Sequence, residues 1–166
     1  FTNKQTDMTV ADDPTPYRDM IQRWYLQKKD PTQEKSEVKK PIVWWIENTT
    51  PYEFRDAIKE GVLAWNKAFE AAGFINALEV KVQPDTANWD AGDIRYNVLR
   101  WTSSPNPPFG GLGPRFTNPR TGQILGADIM LEYVYFTNRV KYEKIYDTFN
   151  GENENYPLTA CHAGHI

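Results

Sequence analysis

The sequence predicts an α+β domain: a twisted mixed sheet, mostly parallel with one antiparallel edge strand, and a long helix behind it. Three observations predict it. The run Ile42-Val43-Trp44-Trp45-Ile46 is short, continuous and rich in β-branched and aromatic residues, as a strand buried on both faces requires. A long amphipathic stretch follows and stops at Gly73. Leu78, Val80 and Val82 then alternate with Glu79 and Lys81, the pattern of a half-exposed strand. Strand, long helix and return strand make a βαβ unit, which implies parallel pairing and a right-handed crossover.

Residues 1–40 read as an N-terminal arm and linker. The first 16 residues are polar and Pro-punctuated. Tyr17, Met20, Ile21, Trp24 and Tyr25 then recur at helical spacing, and are read as a short docking helix or an extended arm on the core. Residues 27–40 are a charged linker containing Pro31.

Residues 41–136 carry the domain proper. Asn48-Thr49-Thr50-Pro51 ends the first strand. Thr50 with Glu53 three residues on has the form of a capping box, and Pro51 suits a first helical position. The helix should run to about Ala72, with Phe54, Ile58, Val62, Trp65 and Phe69 as its apolar stripe and Gly73 just past its end. The second strand ends at Pro84, and a polar loop over 85–92 follows. Ile94, Tyr96 and Val98 alternate with Arg95, Asn97 and Leu99, predicting a third strand that ends near Trp101. After a Ser/Pro/Asn loop comes a glycine-bearing strand over 110–117. The turn Asn118-Pro119-Arg120-Thr121-Gly122 and an apolar strand over 123–131 complete a hairpin. Glycine and proline confine the first of these strands to an edge. Residues 137–166 are a weakly helical segment, beginning in fact near Tyr133, and a tail. There is no internal repeat.

Composition excludes several classes of partner. The formal net charge is −3 and no basic stripe is present, so nucleic acid is not an expected partner. No apolar run approaches the ~20 residues of a membrane-spanning helix. A lone cysteine, Cys161, cannot make an internal disulfide. Aromatic residues reach 14 %, enough large side chains to fill a core in a chain this short. The chain opens Phe1-Thr2-Asn3 without an initiator Met, and is read as a piece of a longer protein.

Four stretches carry a family resemblance. Pro41-Ile42-Val43-Trp44-Trp45-Ile46-Glu47 with Thr49-Thr50-Pro51 resembles the first strand and helix start of metzincins. Trp65-Asn66-Lys67-Ala68-Phe69-Glu70-Ala71-Ala72-Gly73 is similar to the end of their first helix, and Asp93-Ile94-Arg95-Tyr96-Asn97 with Trp101 to their third strand. The run from Asn118-Pro119-Arg120-Thr121-Gly122 to Ile129 resembles the turn and strand before their active-site helix. Together, over roughly 17–136, they look most like a bacterial family of large zinc-dependent metalloproteases with a matrixin-like domain. Arg23-Trp24 and Lys29-Asp30-Pro31 fit that family too.

The resemblance implies a zincin-like N-terminal subdomain that stops before the active-site helix. That helix would carry H-E-x-x-H-x-x-G-x-x-H: two His one turn apart on one zinc, a Glu as general base, and a third His after a Gly turn. No H-E-x-x-H occurs in the 166 residues. Zinc therefore belongs to the parent protein, its ligands outside this chain, and the chain alone should be inactive. The expected substrate is a peptide or protein, received by the edge strand as an added strand. The substrate-binding residues implied are Gly110, Gly111, Leu112, Gly113, Pro114 and Arg115. A periplasmic or secreted location is implied in the same way. With the active-site helix missing, one sheet face should expose apolar side chains, which self-association or the tail would cover. The alternative is a non-catalytic protein-binding module that pairs strands at its glycine-rich edge.

Other constellations carry less. Cys161, His162 and His165 place three soft or borderline ligands in five residues, but without a Glu or a clear helix they read as a tail. Asp85, Asp90 and Asp93 surround a turn, and matrixins do carry calcium sites. Their spacing is not that of an EF-hand, so they read as solvated loop acids. Asp128 lies inside an apolar strand and needs a hydrogen-bond partner or an exposed face. Gly110-Gly111-Leu112-Gly113 is no dinucleotide fingerprint, because Pro114 and Arg115 follow in place of a helix start. The Trp residues sit mostly at periodic positions and read as core; a glycan-stacking surface would need coplanar exposed rings.

Overall fold

The computed structural model describes residues 2–6 and 17–150. In chain order, β1 (Thr2–Thr6) and β2 (Tyr17–Ile21) pair antiparallel as a separate two-stranded sheet. Next come β3 (Ser36–Glu37), β4 (Ile42–Ile46), helices α1 (Tyr52–Ala64) and α2 (Asn66–Ala71), β5 (Phe74–Ile75) and β6 (Leu78–Val82). The remainder is β7 (Asn97–Thr102), β8 (Gly111–Leu112), β9 (Arg115–Thr117), β10 (Ile124–Glu132) and helix α3 (Tyr133–Asn150).

The main sheet has six strands in the order β6-β4-β7-β10-β8, with β9 also on β10. β4 is parallel to both β6 and β7, and β10 is parallel to β7. Only β8 and β9 run antiparallel. The class is α+β with a mixed sheet, and β8 and β6 are its two edges.

Residues in register share a sheet face, so the pairings sort the core. Ile42, Trp44 and Ile46 of β4 share one face with Leu78 and Leu99, and these five form the buried cluster. Ile58, Val62 and Phe69 from the helices pack onto it, as do Trp24 and Leu26 from the arm. The opposite face carries Trp45, Val98, Arg100, Asp128 and Met130. Beside it the 83–96 loop brings Trp89 and Tyr96 against Trp45, with ring centroids 5.4 and 6.1 Å away. Gln83 pins that loop: its amide accepts from Asn48 N–H at 3.2 Å and donates to Trp89 C=O at 2.9 Å.

Several elements differ from the sequence expectation. Of the two readings of 17–25, the structure has the extended arm and not the helix: 17–21 are strand, and the chain stays extended beyond them, with Gln22, Trp24 and Leu26 turned inward and Ile21, Arg23 and Tyr25 outward. The charged 27–40 stretch is fastened down. β3 pairs parallel with β5, Lys28 bridges Val38, and Ser36 and Val38 are buried.

The expected capping box is not made. Pro51 itself is the N-cap, without a side-chain cap bond, and Thr50 is buried one residue too early. Arg55 instead holds the C=O of Thr50 at 2.8 Å and of Asn48 at 2.7 Å. The long helix breaks at Trp65, which is 64 % exposed and so leaves the apolar stripe. The third strand starts at Asn97 instead of Ile94, because Asp93 Oδ1 accepts Arg95 N–H at 3.0 Å and Tyr96 N–H bonds Asp93 C=O, closing a turn there. The glycine strand is two short pieces, β8 and β9, split at Gly113-Pro114. Gly73, with φ of 91°, does take the left-handed conformation expected at a helix end. The segment after β10 forms an 18-residue helix, more regular than its weak periodicity predicts.

Candidate functional site

The candidate site is the β8 edge. β10 fixes it from one side: Leu112 pairs with Met130 and Gly111 with Leu131. Glu132 N–H donates to Gly110 C=O at 3.3 Å, and Asp128 N–H to Pro114 C=O at 3.0 Å. In an antiparallel ladder alternate residues bond the partner strand and the others turn outward. Residues 110, 112 and 114 face β10, so Gly111 and Gly113 direct their N–H and C=O groups away from the sheet.

Neither glycine is demanded by its own surroundings. Neither has positive φ; among the described glycines only Gly73 and Gly122 do. A methyl group on Gly111 would come no closer than 3.4 Å to Met130 O, and one on Gly113 no closer than 3.9 Å to Asp128 O, both ordinary contacts. What their bareness does provide is room for another backbone to approach.

The same bareness opens the helix-bearing face. Gly111 lies in one row with Leu131 and Trp101, and continuing the register sets Gly113 in line with Ile129 and Leu99. Ile129, Leu131 and Trp101 are half-buried. A strand laid along β8 could therefore lean alternate side chains over the glycines onto Leu131 and Ile129. Beyond Leu131 stand three aromatic rings: Phe54 stacks on Trp101 at 5.0 Å, and Tyr133 lies 5.9 and 5.5 Å from the two. On the other face, exposed Leu112 lies in one row with Met130 and Arg100.

Arg100 and Asp128 make that second face polar. Arg100 Nε is buried without a hydrogen bond, 3.9 Å from Glu47 Oε1. Burial pushes the Asp128 carboxyl above its usual range, against a 3.3 Å hydrogen bond from Val98 N–H and the charge of Arg100. The sequence left Asp128 needing a hydrogen bond or an exposed face; it has the hydrogen bond and is half-buried.

Gly110 through Pro114 thus lie together along one edge, with Gly111, Leu112 and Gly113 exposed. Arg115 turns away from it, its Nε donating to Gln22 Oε1 of the arm. The loop acids do not converge. Asp90 accepts from Gly92 N–H, and Asp93 is held down to about 2 by hydrogen bonds from the Arg95 side chain and N–H. Among the described residues no group of three or more His, Cys, Asp or Glu is placed to hold a metal ion. Cys161, His162 and His165 lie outside the described residues. Trp89 and Tyr96 stack face to face at 3.9 Å, occupying each other instead of lying side by side toward solvent. No described helix is long and apolar enough to cross a membrane.

Sequence reasoning missed Glu132. It is buried at the end of β10 and grips the loop that leads to β8. The only signal was an acidic residue closing the apolar run Ile129-Met130-Leu131. No protein-family model, curated protein or solved structure matches the chain.

Proposed function

We propose that this chain is the N-terminal subdomain of a metzincin-like, zinc-dependent metallopeptidase, and that β8 receives the substrate as an extended peptide. The carrying observation is the open antiparallel edge whose two outward-facing residues are glycines that neither backbone geometry nor packing demands. The outward N–H and C=O groups supply main-chain hydrogen bonds, and alternate side chains of the peptide supply selectivity. Apolar residues at those positions fit best, since Leu131 and Ile129 line one face and Leu112 and Met130 the other.

Helix packing supports the same reading. α1 packs along β6 and α2 along β5, leaving Ile129 and Leu131 of β10 half-buried. In the proposed parent a further helix, bearing the zinc ligands, covers that half of the sheet. Zinc would polarise the scissile carbonyl and acidify the attacking water. The residues described here do not form such a site, so the chain's own part is to bind and align the peptide. By this reading the parent is periplasmic or secreted, and the isolated chain associates through its uncovered face.

The test is a titration of labelled protein with an extended apolar peptide, followed at backbone amides. Shifts at Gly111 and Gly113, lost when the peptide carries proline at the pairing position, are the expected result. Gly113→Val should keep the fold and weaken binding, because its side chain fills the space the peptide uses. Chelator-sensitive cleavage by the purified chain would contradict the assignment of the chemistry to the rest of the parent. A parent without H-E-x-x-H in the ~60 residues that follow would leave the non-catalytic strand-pairing module as the function.

A further inference from the structure

Glu132 is 1 % exposed, the most deeply buried charged residue among those described. It takes part in no ion pair there. Neutral donors match its carboxylate instead. Ser104 N–H donates to Oε1 at 2.8 Å, and the hydroxyls of Thr102 and Ser104 donate to Oε2 at 2.9 and 3.0 Å. Burial pushes this carboxyl up, but the bonds from Ser104 N–H, Thr102, Ser104 Oγ and Val134 N–H outweigh it and hold the group below the ordinary glutamate range. The group is therefore an ionised acceptor at neutral pH.

The position of these partners gives the cluster a purpose. Thr102 ends β7, and Ser104 opens the loop that runs to Gly110 and β8. That loop contains Pro105, Pro107 and Pro108, which have no N–H to donate. Its far end is held by the backbone of the same residue, through Glu132 N–H to Gly110 C=O at 3.3 Å. One residue thus grips the loop where it leaves β7 and where it enters β8. β8 itself is only two residues long and cannot hold its place by its own ladder.

We propose that Glu132 is the positioning residue of the peptide-receiving edge: its carboxylate fixes the 103–110 loop and so sets the place of β8 on β10. This rests on the reading of β8 as a peptide-receiving strand, and the experiment separates the two. Hydrogen exchange and peptide titration would be measured on the full chain carrying Glu132→Ala or Glu132→Gln. In Glu132→Ala, the amides of Leu112 and of position 132 should exchange at least ~10-fold faster while Trp44 and Ile46 of β4 stay within about twofold, the mark of local opening. Peptide binding should weaken by a similar factor. Glu132→Gln should restore most of both, since its amide can still accept from Ser104 N–H and can donate to the two hydroxyl oxygens.

A purely structural role for Glu132 would accelerate the β4 amides as much as those of β8, and that result overturns the proposal. Unchanged Leu112 exchange in Glu132→Ala also overturns it. If Glu132→Ala does not fold, Ser104→Ala must show the same local pattern at smaller size; uniform acceleration there is equally fatal. Selective release of β8 in a protein whose native form binds no peptide supports the latch and overturns the peptide-receiving reading.

Discussion

The side chain of Asn66 hydrogen-bonds both backbone groups of Leu78: Leu78 N–H donates to Oδ1 at 2.9 Å, and Nδ2 donates to Leu78 C=O at 3.1 Å. An amide side chain thereby takes the place of a neighbouring strand at the start of the β6 edge. Without it, two polar groups beside buried Leu78 would lose their partners. Asn66→Ala should cost about 1–3 kcal/mol, the usual penalty for stranding part-buried donors and acceptors. Chemical denaturation measures it; a loss below a few tenths of a kcal/mol would show that water replaces the amide without penalty.

Gly61 sits inside α1 with nothing within 4 Å of where a Cβ would stand. Glycine there only adds backbone freedom to the unfolded chain. Gly61→Ala should stabilise the domain by about 0.5–1 kcal/mol, read as a rise in the denaturation midpoint at unchanged slope.

Gly122 stands at the opposite extreme. Its φ is +71°, and a Cβ would lie 2.3 Å from Ile21 O. The arm is bonded at this point: Arg23 N–H to Gly122 C=O at 3.1 Å and Ile124 N–H to Arg23 C=O at 2.9 Å. Gly122→Ala should destabilise by more than about 1 kcal/mol. Amides of Arg23 and Ile124 should lose exchange protection first, and the Trp24–Trp44 contact should loosen with them. Protection retained at both amides would mean that the arm tolerates the methyl.

Asp128 predicts a pH dependence with a definite sign. Burial raises its pKa in the folded state, so across the range just above the usual aspartate value the folded chain holds a proton that the unfolded chain releases. Stability from this group therefore falls as pH rises through that range. Asp128→Asn keeps an acceptor for Val98 N–H and removes the charge. It should be the more stable form at neutral pH, and the two proteins should converge as the pH drops below 4. A variant less stable at every pH would assign Asp128 a favourable pairing with Arg100 instead.

The sequence shows most where local pattern and final environment agree. β4 is apolar on both faces because both are covered, and β6 alternates because one is not. The 17–25 stretch left a docking helix and an extended arm both open for a simple reason: Tyr17, Ile21 and Tyr25 are spaced by four, which satisfies a helix and a strand equally. Trp65 misleads for another. Its neighbour Asn66 turns inward to serve Leu78, twelve residues away, and Trp65 rotates outward with the break in the helix. The glycine edge was legible, since glycine and proline together exclude a central strand. Glu132 was not, because its partners are 28 and 30 residues earlier and nothing local announces them.

The two margins of the sheet are unlike. Asn66 closes off the start of β6, whereas β8 presents bare glycines. The start of β6 is therefore closed to an added strand, while β8 is open to one. A peptide bound at β8 should saturate at one per chain. Two copies meeting through that margin use up the β8 side of each, which makes a symmetric dimer the product of pairing there.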